Sequence, residues 1–72
     1  MSGQSTLEIH LRAQSALSNS TVYALRELTV EPLDDGLLIS GSVCSFYHKQ
    51  LAQETVRAVA PAVEVINSVR VD

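Results

Sequence analysis

Between Asp34 and Tyr47 the chain reads DDGLLISGSVCSFY: an acidic turn, an alternating run with a glycine at its middle, then residues that open a helix. No other stretch constrains the fold as much. Leu37, Ile39, Gly41 and Val43 fall on one face of a strand, and upstream Leu28, Val30 and Pro32 alternate with Thr29 and Glu31 as a shorter one. Asp34, Asp35 and Gly36 tolerate turn backbone angles, so the two strands are expected to close as a hairpin. Pro32 offers no N–H to a ladder, which assigns the first strand to an edge or places the proline at its end.

Helices flank this hairpin. In residues 5–18, Leu7, Ile9 and Leu11 alternate as in a strand, whereas Ile9, Ala13, Ala16 and Leu17 recur at helical spacing. Ser5 followed by Glu8 is a capping box and Asn19 can close the far end in a left-handed conformation, so the ends predict a helix. Residues 19–27 read as a connector that tucks apolar side chains under the sheet. Ser45 is the expected N-cap of a second helix, on which His48, Ala52, Thr55, Val56 and Val59 form one stripe and which Pro61 ends. Val65, Asn67, Val69 and Val71 then alternate with Ile66, Ser68 and Arg70 as a third strand.

The order is α-β-β-α-β, an α+β class. A strand, helix, strand succession in one sheet implies a right-handed crossover, with the third strand parallel to the second. The expected architecture is a three-stranded mixed sheet with two helices packed on one face. Residues 5–72 make one domain, and residues 1–4 are expected to be a disordered N-terminus.

Composition restricts what such a domain does. At 72 residues it buries roughly 60% of its unfolded surface. With only Tyr23, Phe46 and Tyr47 aromatic, its core must be aliphatic, leaving little room for a large ligand cavity. Net charge is −3 and the basic residues Arg12, Arg26, Lys49, Arg57 and Arg70 are scattered, which argues against nucleic-acid binding. The single cysteine, Cys44, suits a reducing compartment. With no basic region leading an apolar run, and no apolar stretch of about 20 residues, the expected location is cytoplasmic.

The chain resembles a BON domain, the small bacterial module named for osmotically inducible and nodulation proteins, over roughly Leu7 to Val71. The resemblance is carried by Leu17, by Leu28 and Val30, by the run Leu37, Ile39, Ser40, Gly41, Ser42, Val43, by Ala52, and by Val65, Ile66, Asn67, Val69 and Val71. The chain differs in the spacing of Gly36 from Gly41, in Pro61 where a glycine ordinarily precedes the last strand, and in carrying one copy without an export signal. The resemblance implies a non-catalytic adaptor that associates with other proteins, with phospholipid surfaces or with small ligands, and it transfers no catalytic residues.

Chemistry-bearing residues are few. Cys44 and His48 lie four apart, but structural zinc takes four ligands, and only His10 and scattered carboxylates remain to supply them. As a nucleophile and base, the same pair lacks an Asn or Asp placed to orient the imidazole. Asp34 and Asp35 read as a turn rather than a calcium loop. No metal, cofactor or catalytic site is assigned, and an enzyme is not expected.

Phe46, Tyr47, His48 and Lys49 gather two of the three aromatics and a cation at the start of the second helix, the composition of a contact surface. Against this, Phe46 can pack back across the helix start as a hydrophobic staple. Leu7 and Leu11 widen the apolar arc of the first helix and offer a second candidate surface. Arg12 is that helix's one cation, so a protein partner or self-association is favoured over a phospholipid surface. On the other sheet face, Leu38 and Ile66 are expected to form a small, partly exposed patch suited to dimer contact.

Overall fold

Apolar spacing and caps set the helices. The structure, a computed structural model, describes the backbone of residues 6–72 and side chains from Glu8 onward. Helix α1 spans Thr6–Ser18 and buries Ala13 and Leu17, with Ile9 and Ala16 half-buried beside them. The Ser5–Glu8 capping box, the disorder expected of residues 1–4 and the Leu7 side chain lie outside the described residues. Asn19 does not adopt a left-handed conformation: Asp34, at φ 53°, is the one non-glycine with positive φ among the described residues. Instead Asn19 Nδ2 donates to the Ser15 carbonyl at 2.9 Å, satisfying a terminal carbonyl through its side chain.

The connector contains a 3-10 helix, Tyr23–Glu27, that drives Leu25 fully into the core. Strand β1, Thr29–Leu33, pairs antiparallel with β2, Gly36–Ser40, through a tight turn at Asp34 and Asp35. Val30 points inward, but Pro32 is exposed rather than continuing the inward row. It lies on the outer edge of an edge strand, where its missing N–H costs no ladder bond.

The second strand does not run unbroken to Val43. It breaks at Gly41, where φ is +131°, and resumes as β3, Ser42–Val43. The third breaks alongside it into β4, Val65–Asn67, and β5, Arg70–Val71. Gly41 lies close against Leu28 there: a Cβ on it would meet Leu28 Cδ2 at 2.7 Å. Register survives the break, with Leu37 opposite Val65 before it and Val43 opposite Val71 after it. The result is a three-stranded sheet in the order β1-β2-β4, mixed in direction, extended by the parallel ribbon β3-β5.

Helix α2, Phe46–Val59, begins where Ser45 Oγ accepts the His48 N–H at 3.2 Å. Both helices pack against each other and on one sheet face, α1 over β1 and α2 over β4. Between the layers lies a purely aliphatic core in which Leu17, Leu25, Leu28, Leu37, Ile39 and Val56 are fully buried. Each such side chain contributes roughly 1.5–3 kcal/mol. The opposite sheet face stays partly open: Leu38 and Ile66 are register partners there, Leu38 half-buried and Ile66 40% exposed.

Candidate functional site

The two edges of the sheet are treated differently by the helices above them. On β1 the backbone of Leu28, Val30 and Pro32 faces outward, because alternate residues of an antiparallel strand turn away from their partner. Side chains of α1 take three of the polar groups there. The Val30 N–H donates to Gln14 Oε1 at 2.8 Å, and Gln14 Nε2 donates to the Leu28 carbonyl at 3.0 Å. His10 Nε2 donates to the Val30 carbonyl, which fixes the hydrogen on that nitrogen. His10 Nδ1 is left buried without a partner. Leu28 N–H returns to the Leu25 carbonyl at 3.2 Å.

The β4–β5 edge is open by comparison. Ser68, Arg70 and Asp72 donate inward to the carbonyls of Ile39, Gly41 and Val43 at 2.8, 2.9 and 2.9 Å. Strand alternation therefore turns the backbone N–H and C=O groups of Asn67, Val69 and Val71 away from β2 and β3. Asn67 Oδ1 accepts the Val69 N–H at 3.1 Å, and its Nδ2 ties the strand to the Lys49 carbonyl of α2 at 2.8 Å. No described side chain covers the N–H groups of Asn67 and Val71. Beside them runs an open groove of about 630 Å³, walled by Phe46 and Lys49 on one side and by the chain from Asn67 to Asp72 on the other.

The candidate contact residues divide between this groove and other surfaces. Phe46 is 75% exposed, so it does not fold back as a staple; Tyr47 is 68% exposed and tilts against the His48 ring at 5.6 Å between centroids. Phe46 and Lys49 share the groove, whereas Tyr47 lines a smaller depression with Gln50, Leu51 and Glu54. His48 is half-buried with Nδ1 unpartnered, and no hydrogen bond joins it to the exposed Cys44 thiol. Leu11 is 58% exposed on α1 and borders neither groove. Among the described residues no three His, Cys, Asp or Glu side chains gather as metal ligands. No helix among them is long and apolar enough to cross a membrane.

Residue spacing gave no notice of Asn67 as a tether or of His10 and Gln14 as edge caps. The available signal was polar residues four apart on α1, flanking its buried stripe. Fold and groove together define a small α+β domain with one sealed and one open sheet edge. No family model and no curated protein sequence matches the chain.

Proposed function

We propose that this domain is a non-catalytic, BON-like binding module that works by contact with another protein. One observation carries the reading: Phe46 and Tyr47 stand 75% and 68% exposed, side by side at the start of α2, on a domain whose buried core contains no aromatic. Large amphipathic rings in water are the ordinary anchors of protein interfaces, where their burial contributes most of the binding energy. The α-β-β-α-β order and the Ser40–Val43 and Val65–Val71 runs support the BON-like part of the reading. A protein surface is favoured over phospholipid because net charge is −3 and Lys49 is the only cation in the first turn of α2.

Vesicle flotation combined with affinity retention tests this. The wild-type chain is expected to stay unfloated with both anionic and neutral vesicles, and to retain proteins that the Phe46→Ser/Tyr47→Ser double variant loses. Flotation with anionic vesicles alone, weakening in salt, would replace the protein partner with a lipid surface.

A further inference from the structure

We propose that an extended segment of a partner protein adds to the open β4–β5 edge as a further strand, lying in the groove beneath Phe46 and Lys49. This deepens the protein-binding reading above and rests on it. The main argument is the contrast between the two edges. Gln14 and His10 occupy the Val30 N–H and the Leu28 and Val30 carbonyls, the Leu28 N–H turns back to Leu25, and Pro32 has no N–H, so that edge keeps no free donor for pairing. On the opposite edge Asn67 and Val71 line the groove with N–H groups that point away from β2 and β3, and only the Val69 N–H is capped, by Asn67 Oδ1 at 3.1 Å. An exposed row of this kind is a template for strand addition, in which backbone hydrogen bonds supply affinity and alternate side chains supply selectivity.

The groove walls specify the occupant. Its charged side chains are Lys49, Arg70 and Asp72, and the last two lie 3.9 Å apart as a pair. Lys49 makes no ion pair among the described residues, so a cation without a paired side-chain carboxylate stands beside the Phe46 ring. Phe46 and Lys49 are three residues apart on α2, about 4.5 Å along its axis. Alternate residues of an extended strand are spaced about 6.8 Å, a gap the lysine stem spans. The fitting partner segment is extended and free of proline, with an apolar or aromatic residue and an acidic residue two positions apart on the side facing α2. A second copy of this chain fits less well, since it brings another Lys49 to the same groove and sets like charge against like.

The experiment titrates the isotope-labelled full chain with the peptide acetyl-TVTFTETVT-amide and follows amide shifts and hydrogen exchange by NMR. Two further peptides carry backbone N-methyl groups, one on the Phe and Glu, the other on the two threonines that follow them. The expected result is shifts and slowed exchange at the Asn67 and Val71 amides, with one N-methylated peptide weakened about tenfold or more and the other unaffected. Replacing the peptide's Glu with Lys is expected to weaken binding as well. Equal binding of both N-methylated peptides would sink the strand-addition mode. So would shifts centred on Tyr47 and Leu51, although the protein-binding reading would then survive. Edge amides already protected in a concentration-dependent dimer would give the site to a second copy and overturn the proposal. No shift at millimolar peptide would overturn the strand-addition proposal, and flotation on anionic vesicles besides would overturn the protein-binding reading as well.

Discussion

Gln14 meets Val30 as a neighbouring strand would, its Oε1 accepting the Val30 N–H at 2.8 Å while its Nε2 reaches the Leu28 carbonyl at 3.0 Å. One side-chain amide thus stands in for a peptide group and docks α1 to the sheet. Gln14→Leu keeps the bulk but strands a half-buried donor and acceptor, so it is expected to cost about 1–3 kcal/mol. Urea denaturation measures the loss. Hydrogen exchange localises it: the Val30 amide should exchange faster, relative to global unfolding, than the Ile39 amide. A stability change under about 0.5 kcal/mol would mean water replaces the amide without cost.

The two glycines of the central strand fail for different reasons when a methyl is added. A Cβ on Gly36 would sit 2.5 Å from the Glu64 carbonyl oxygen, the atom that accepts the Leu37 N–H at 2.8 Å. That neighbour is backbone, so relief requires β2 and β4 to separate at the start of their pairing. At Gly41 the close neighbour is the movable end of Leu28, but φ of +131° strains any L side chain. Both alanine variants should lose about 1–3 kcal/mol. Leu28→Val should relieve part of the added cost at Gly41 and none at Gly36, which a double-mutant cycle by thermal denaturation will show.

Asn67 holds the last strand in three directions. Its Oδ1 accepts the Val69 N–H at 3.1 Å, while its Nδ2 donates to the Lys49 carbonyl at 2.8 Å and to Gln53 Oε1 at 3.3 Å. Asn67→Asp keeps the acceptor but presents carboxylate oxygen to two acceptors on α2. It is expected to destabilise more than Asn67→Ala, which should cost about 1–2 kcal/mol. Equal losses in the two variants, read from chemical denaturation at neutral pH, would show that the contacts to α2 contribute little.

The inward rows were legible because alternation marks them without reference to distant residues. Leu37, Ile39 and Val43 are buried as their spacing requires, and so is Val69. What escaped reading depends on partners far along the chain. The break falls at Gly41, where the chain passes close to Leu28, and the role of Gln14 depends on backbone 14 and 16 residues away. Tyr23–Glu27 folds as a single 3-10 segment, too short to show periodicity. At Phe46 the local pattern fits both a folded-back staple and an exposed ring, since the choice turns on whether the aliphatic core has space for it. With Leu17, Leu25 and Leu28 filling that core, it does not.

That exposure makes a stability measurement diagnostic of the surface. A ring 75% exposed loses little burial when truncated, so Phe46→Ser and Tyr47→Ser should each change unfolding free energy by no more than about 0.5 kcal/mol. Two neighbouring changes provide the scale. Ser45→Ala removes the Oγ that accepts the His48 N–H at 3.2 Å and should cost about 1 kcal/mol. Leu17→Ala opens a cavity at a fully buried position and should cost about 2–5 kcal/mol. If Phe46→Ser instead falls at or above the Ser45→Ala loss, the ring stabilises the start of α2 in solution and is not held out for a partner. A near-zero change, paired with lost protein retention, assigns the ring to binding, because no folding defect then remains to explain the loss.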